Sequence, residues 1–368
     1  MRVAITGISG FIGTHLKNFL SIQPGIEILA IGKQEFKSKT VLENIVKKSD
    51  VIVHLAAVNR HEDPNELVGT NISLLERLIR ICINTQSKPY IIFSSSLQEE
   101  IDNPYGRSKK AGQEMLEDWA RKYTGTYAGL VIPNVFGPFG KPFYNSVVAT
   151  FCHQLAHGEI PSIHEDKEIQ LIYVNALVSR IWELINHPQF GRIKIDHQVQ
   201  IKVSDLLEKL KLYAQQYIHK GELPSLDSTF HLALFNTFRC YLPIDLFPLA
   251  YRKNEDSRGI FVEIMRNNSG GQFSYSTTKP GITRGNHYHT RKAERFAVIR
   301  GEALIKLRRI DESEIIEYHI NGDLPAFVDM PVWHTHNITN VGNEELITLF
   351  WINEPYDPGN SDTYFLDV

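Results

Sequence analysis

The sequence predicts an α/β fold, a doubly wound parallel sheet over residues 1–245, followed by a smaller all-β barrel over residues 246–368. Strand-like runs alternate with amphipathic helical segments in the first part, the pattern of βαβ units. Residues 241–248, with prolines at 243 and 248, then break the helical periodicity. Beyond them come short strands with turn residues at 261–265, 272–277, 297–299, 303–307, 315–319 and 347–351, which predict an antiparallel sandwich or barrel. A chain of 368 residues accommodates two such domains, each with its own core.

Composition narrows the function. Hydrophobic residues make up 42% and charged residues 22%, a globular balance. A formal net charge of -3 argues against nucleic acid as a partner. Cys82, Cys152 and Cys240 show no framework spacing and read as buried reduced thiols. No stretch approaches the roughly 18 apolar residues of a membrane span. The opening segment Met1–Gly7 enters a strand, and its glycines come too early for a secretion signal. The expectation is a cytoplasmic protein with no membrane partner.

In the first part, strands are predicted at 3–5, 26–31, 51–55, 90–93 and 128–132, with helices at 67–82 and 104–123. Ligands of such sheets bind at the carboxyl ends of the strands. The first end carries Thr6-Gly7-Ile8-Ser9-Gly10-Phe11-Ile12-Gly13. Gly7 allows a tight turn, Gly10 lets backbone approach a pyrophosphate, and Gly13 lets helix pack on strand. The helix starting near Phe11 and Ile12 offers N–H groups and a positive dipole end to phosphates. This is a Rossmann-type dinucleotide site. The second strand ends Ile31-Gly32-Lys33 with no carboxylate at its tip, and Lys33 can neutralise a 2′-phosphate, so the expected cofactor is NADP(H).

The chemistry is signalled by Tyr105-Gly-Arg-Ser-Lys109. Asn103 is a good N-cap and Pro104 suits the first helical position. Four residues of helix then place Tyr105 and Lys109 on one face. The neighbouring ammonium is expected to lower the tyrosine pKa toward a range useful for proton transfer. Ser94-Ser95-Ser96 ends the apolar strand before it, where hydroxyls can reach a substrate carbonyl.

Together with Asp50-Val-Ile-Val-His-Leu55-Ala56-Ala57, these motifs resemble the extended short-chain dehydrogenase/reductase family. The resemblance implies that Tyr105 is the general acid and Lys109 positions the nicotinamide ribose. It further implies that Ser96, or Ser95 in its place, binds the reacting oxygen, and that Asn71 supports the relay. Leu55, Ala56 and Ala57 would line the cofactor. Pro133-Asn134 would close over nicotinamide, with Asn134 touching a sugar-nucleotide substrate. The chain departs from the family at Val131, where arginine is common.

The second part holds Gly281-x5-His287-x-His289-x4-Glu294-x6-Gly301 and, later, Pro331-x4-His336-x3-Asn340, with Trp333 where a glycine is usual. Residues two apart on a strand share a face, so His287 and His289 both point inward. Glu294 returns on the next strand, and His336 arrives from the far motif, with His334 a weaker competitor. Three imidazoles and a carboxylate suit zinc, iron, nickel or copper better than magnesium or calcium, and zinc is the expected metal. The spacing resembles the two cupin motifs, which implies a double-stranded β-helix or jelly-roll barrel.

Asp256-Ser-Arg258-Gly-Ile-Phe-Val-Glu263 and Lys279-Pro-Gly-Ile-Thr-Arg284-Gly-Asn-His287 resemble the 3,5-epimerases of nucleotide-linked 4-keto-6-deoxy sugars. That resemblance implies substrate contacts at Arg258, Glu263 and Arg284. It makes His287 either the proton-abstracting base or a metal ligand. The full-length combination resembles the CapF-type enzymes of capsular and O-antigen polysaccharide synthesis. It implies a homodimer acting on a UDP-linked 4-keto-6-deoxy amino sugar, first by C3 epimerisation and then by NADPH-dependent reduction at C4. The alternative is a reductase whose barrel is only a structural or dimerisation module.

Overall fold

The computed structural model describes residues 1–251, 253–256, 259–262, 264–265, 270–354 and 356–368, with backbone alone between 253 and 262. Contacts divide the chain into two compact units. The first comprises Met1–Phe136, Phe143–Ser146 and Lys167–Lys202; the second comprises Gly137–Pro142, Val147–Asp166 and Val203–Val368.

In chain order the elements up to residue 136 are β1 (Arg2–Thr6), α1 (Phe11–Ser21), β2 (Glu27–Ile31), α2 (Lys33–Lys37), α3 (Lys39–Lys48), β3 (Val51–His54), α4 (Pro64–Thr85), β4 (Tyr90–Ser96), α5 (Pro104–Tyr123), β5 (Thr126–Ile132) and β6 (Asn134–Phe136). There follow α6 (Val147–Ala156), β7 (Glu168–Tyr173), α7 (Val174–Asn186), β8 (Gly191–Lys194) and β9 (Val199–Lys202). The main sheet of the first unit is parallel, six-stranded, in the order β2-β1-β3-β4-β5-β8. Its central strands are buried on both faces, which is why they read as unbroken apolar runs rather than alternating ones. Val3, Ile5, Ile52, Ile91 and Ile92 are all fully buried. The predicted strands and the helix at 104–123 are present, and α4 extends the predicted 67–82 to Asp63, whose carboxylate caps it. A small sheet, β6-β7-β9, completes the unit.

Besides α6, the second unit contains α8 (Val203–Tyr213), a π-helical turn at Ala214–Ile218, and α9 (Thr229–Arg239). Strands follow: β10 (Leu249–Ala250), β11 (Lys253–Asp256), β12 (Gly259–Val262), β13 (Gln272–Thr278), β14 (Thr283–Tyr288), β15 (Glu294–Arg300), β16 (Glu302–Arg309), β17 (Ile315–Asn321), β18 (Ala326–Met330), β19 (His334–Asn340), β20 (Leu346–Ile352) and β21 (Tyr364–Phe365). They form two five-stranded sheets, β10-β18-β15-β20-β13 and β17-β16-β19-β14-β21, plus the hairpin β11-β12. Phe296, Val298, Val328 and Met330 of the first sheet share one core with Ile305, Leu307 and Ile338 of the second, so the sheets pack face to face. The jelly-roll expectation is met. Helices belong to this unit as well: Tyr217 of the π-turn donates to Asp329 on β18, and Asp329 grips Arg295 of β15 at 2.8 and 3.0 Å.

Candidate active site and metal centre

The glycine loop is built as its spacing requires. Gly7 sits at φ +67°, and a Cβ there would lie 2.8 Å from the Ala56 nitrogen. A Cβ on Gly13 would come within 2.2 Å of the Gly7 carbonyl, so the start of α1 packs directly on the turn. Gly10 donates to the Gly7 carbonyl at 2.9 Å, and no side chain caps α1. The first N–H groups, of Phe11, Ile12 and Gly13, therefore form an anion-ready helix start. The Thr6 hydroxyl accepts from the Leu55 and Ala56 nitrogens, both at 3.1 Å, and holds the Leu55–Ala57 segment beside the loop. It also pairs at 2.9 Å with Nδ1 of His54, a fully buried imidazole that desolvation and Lys109 push down to about 3.

Tyr105 and Lys109 share a face of α5, which Asn103 caps by accepting from the Gly106 nitrogen at 2.8 Å. Lys109 Nζ lies 5.4 Å from the Tyr105 ring centroid and donates to the Ser94 carbonyl at 2.6 Å. Burial brings Lys109 down to about 8, against an opposing pull from Glu99. The expected lowering of Tyr105 is reversed. Burial pushes its phenol up to about 12, with Tyr144 adding to the rise. Desolvation outweighs the ammonium here, and it keeps Tyr105 in the protonated form that an acid needs. Asn71 ties the loop after β3 to α5, accepting from Val58 N at 2.7 Å and donating to Ser108 Oγ at 3.0 Å.

The serine run divides its work. Ser94 donates to the His54 carbonyl, and Ser95 donates to the buried carboxylate of Glu99. Ser96 is half-buried, with its oxygen accepting from Gln98 N at 3.2 Å. Tyr105 faces a cleft of about 580 Å³ lined also by Asn59, Arg60, His61, Leu67, Gln98 and Asn103. Pro133 precedes β6, and Asn134 donates to the Gln170 carbonyl at 3.2 Å. Lys33 is exposed at the start of α2. The tip of β2 nevertheless carries a carboxylate, because Glu35 folds back to accept from Gly32 N at 2.8 Å. A residue three positions past the strand escapes a search confined to its tip. Glu99 was missed for the same reason: it reaches the relay only because a 3-10 turn at Leu97–Glu100 folds it back under the strand.

In the second unit His287, His289, Glu294 and His336 converge, with one ligand atom from each lying within 4.8 Å of the others. His287 is the penultimate residue of β14 and His336 lies on β19, its paired neighbour; Glu294 starts β15 in the opposing sheet. His289 lies just past β14, and the ladder shifts register between Gly285 and His287. That shift precedes His287, so the two histidines, two residues apart, keep the shared face that the spacing suggested and both reach the cluster. Trp333, in the usual glycine position, takes φ +62° and donates its backbone N–H to the His289 carbonyl at 2.8 Å.

Hydrogen bonds fix the tautomers. The His289 Nδ1 is 2.5 Å from the Asp362 carbonyl, and the His336 Nδ1 is 3.1 Å from the His334 carbonyl. Carbonyls only accept, so both Nδ1 atoms carry hydrogen, and both Nε2 atoms lie against Glu294 Oε2, at 3.3 and 3.2 Å, donating to it when the ring is protonated and offering a lone pair to a cation when it is neutral. Acceptors converging in a buried space need either extra protons or a cation between them. Burial alone would raise Glu294, but His289 and His336 outweigh it and hold the carboxylate well below its usual range. Burial would lower His289, but Glu294 and then Asp362 raise it. Burial, His336 and His289 take His287 down to about 4. Buried His336 Nε2 has no hydrogen-bond partner of proper geometry. The donor set, three imidazole nitrogens and one carboxylate, fits a divalent transition metal. His334, half-buried and brought to about 4 by desolvation, turns its Nδ1 to the Val332 carbonyl and stands outside the donor set. Arg284 is engaged by Thr278 Oγ1 at 3.1 Å and the Thr277 carbonyl at 3.0 Å. Arg258 and Glu263 lie outside the described residues.

Residues 3–199 match the NAD dependent epimerase/dehydratase family, and residues 254–364 match the polysaccharide biosynthesis C-terminal domain. A Pseudomonas aeruginosa protein named UDP-2-acetamido-2,6-beta-L-arabino-hexul-4-ose reductase is 35% identical, over 100% of this chain and 99% of its own length. The crystal structure of the capsular polysaccharide assembling protein CapF from Staphylococcus aureus matches over 100% of both chains, at 36% identity and a TM-score of 0.65. A structure of CapF with the inhibitor 3-isopropenyl-tropolone matches over 100% of both chains, at 34% identity and a TM-score of 0.62. The chain belongs to the NAD dependent epimerase/dehydratase family, among the CapF-like proteins that join such a reductase domain to a polysaccharide biosynthesis C-terminal domain. Among the described residues, no helix is long and apolar enough to cross a membrane.

Proposed function

We propose that this chain acts in sequence on one UDP-linked 2-acetamido-2,6-dideoxy-4-hexulose, epimerising it at C3 and then reducing its C4 ketone. The product is UDP-2-acetamido-2,6-dideoxy-β-L-talose, a precursor for capsular or O-antigen polysaccharide. The carrying observation is the pair of imidazole Nε2 atoms converging on Glu294, in a chain whose other unit holds the tyrosine–lysine relay. The substrate class follows the name of the P. aeruginosa relative. Tropolones present two adjacent oxygens that chelate divalent cations, so the inhibitor of the CapF structure supports a metal reading.

His287, His289, Glu294 and His336 would hold the metal, with zinc the assignment, and a cation there supplies Lewis-acid stabilisation to an oxygen on which charge develops. The ketone acidifies C3–H, so loss and return of that proton inverts C3 only while C4 stays oxidised. Epimerisation therefore precedes reduction. The Gly7–Gly13 turn, Leu55–Ala57, Lys33 and Pro133 would hold NADPH, which would supply the hydride. Tyr105 then gives its proton to the C4 oxygen, Ser96 hydrogen-bonds that oxygen, and Lys109, fixed by Ser94 and backed by Asn71, orients the ribose. Asn134, Arg258, Glu263 and Arg284 are assigned to substrate. A homodimer fits edge strand β13, which exposes Phe273 and Tyr275 by 51% and 70%.

The test is the full-length chain with the 4-keto substrate in deuterated water. Without NADPH, deuterium should enter at C3; with NADPH, the C3-inverted, reduced sugar should form. The relative's name mentions the reductase alone, which favours the second reading, a reductase with a structural barrel. Reduction without inversion or exchange at C3 would establish that reading and discard the first.

A further inference from the structure

Far from the cluster residues in sequence, Asp362 lies two residues before β21, and its side chain is fully buried. Its carboxylate receives the N–H groups of Thr290, Arg291 and Lys292 at 3.0 to 3.2 Å, and the Thr290 hydroxyl at 2.6 Å. These are the three residues that follow His289 in the turn leading to β15. The main-chain carbonyl of the same Asp362 takes the His289 Nδ1 hydrogen at 2.5 Å. Both grips are possible together because Asp362 adopts φ +43°, a left-handed conformation that aspartate tolerates better than most residues. Immediately after it, β21 pairs with β14, matching Tyr364 to Tyr288 and Phe365 to His287. The Leu366 nitrogen donates to the Asn286 carbonyl at 3.0 Å, and Thr335, next to His336, donates to the Leu366 carbonyl.

We propose that Asp362 is a positioning residue of the metal centre, and that the terminal segment 362–366 is a working part of the site. This rests on the metal reading above. The carbonyl holds His289 in the tautomer whose Nε2 lone pair faces Glu294, and the carboxylate fixes the turn that carries His289 toward Glu294. A histidine ligand whose far nitrogen is hydrogen-bonded is both oriented and more basic, and losing such a partner typically costs about 10–100-fold in metal affinity.

The experiment uses the full chain, stripped with a chelator and titrated with zinc against a chromophoric competitor. Thermal unfolding is followed with and without zinc, and visible spectra are recorded after cobalt(II) substitution. Asp362→Ala keeps the carbonyl but releases the 290–292 turn that aligns it with His289, so it should weaken zinc by about 10-fold or more, narrow the zinc-dependent rise in Tm, and change the cobalt band. Asp362→Asn keeps the left-handed tolerance and part of the hydrogen bonding, so it should fold and show a smaller change of the same kind. A merely structural role would lower both melting temperatures equally and leave zinc affinity and the cobalt spectrum unchanged; that result in both variants overturns the proposal. Failure of the wild-type chain to take up zinc or cobalt overturns the metal reading and this proposal with it. Uptake by the wild type with undiminished affinity in the variants overturns this proposal alone.

Discussion

The relay of the first unit and the cluster of the second handle buried ionisable groups in opposite ways. Around α5, burial favours neutral forms: Tyr105 is raised to about 12, Lys109 lowered to about 8, and His54 lowered to about 3. Each has a hydrogen-bond partner or a cleft, and none needs a counter-ion from outside. In the barrel the carboxylate of Glu294 stays charged although buried, because the Nε2 atoms of His289 and His336 lie against it. The first arrangement needs no added charge for the proton transfer proposed for it; the second is electrostatically satisfied only by added positive charge, as protons or a cation. The difference teaches that the two can be disabled separately.

The largest expected effect is that separation. Tyr105→Phe should lower the reduction rate by about 10²–10⁴-fold, the usual worth of a positioned acid, while leaving C3 exchange intact. His336→Ala should abolish zinc binding and C3 exchange while reduction of an already inverted substrate proceeds. NMR of the sugar C3–H together with NADPH absorbance reads both. Loss of both activities in either variant would break the comparison.

A smaller effect concerns stability. His54 is held near 3 in the fold against about 6.5 when free, so the unfolded chain binds the extra proton first as pH falls. Stability is fully present above pH 6.5 and is lost progressively as pH drops from there toward 3. Between pH 6.5 and 5 this amounts to about 2 kcal/mol. Denaturant titrations at the two pH values should show it, and His54→Gln should flatten the slope.

The next test sharpens the relay's electrostatics. Lys109 is faced by Tyr105 from its own helix, by neutral His54 from β3, and by Glu99 from the 3-10 turn, whose carboxylate also meets Arg192 of β8. The Glu99 charge favours the ammonium, so Glu99→Gln should lower the Lys109 pKa further. On the proposed mechanism the reduction rate should show an alkaline limb near pH 8 from Lys109, and Glu99→Gln should move it down by about one unit. An unmoved limb would show that another group sets it.

How much of this was legible in the sequence depended on how local each feature is. The glycine turn, the Asn103-Pro104 cap and the Tyr105–Lys109 pair are each set within a few residues, and the structure has them as read. The His287, His289, Glu294 and His336 set was legible from spacing, but the partner that orients His289 was not. That partner is Asp362, 73 residues from His289. The Tyr105 pKa went the other way because burial, a tertiary quantity, outweighs the neighbouring charge that the sequence displays. Glu35 and Glu99 were invisible because each folds back through a short helical turn.

The smallest effect, cofactor choice, comes from the most exposed groups. Lys33 heads α2 in solvent, so its attraction for a 2′-phosphate is screened and worth about 1 kcal/mol at most. Lys33→Ala should raise KM for NADPH by about 5-fold and leave KM for NADH unchanged. Glu35 opposes that preference, because a carboxylate at the end of β2 favours a ribose hydroxyl over a phosphate. Its hydrogen bond to Gly32 N turns it into a helix cap, which engages the group that would otherwise meet the ribose. Glu35→Gln should therefore shift the KM ratio further toward NADPH, and raising salt should shrink the Lys33 effect while leaving the Glu35–Gly32 bond in place. A wild-type chain that prefers NADH would mean that Glu35, rather than Lys33, governs the pocket.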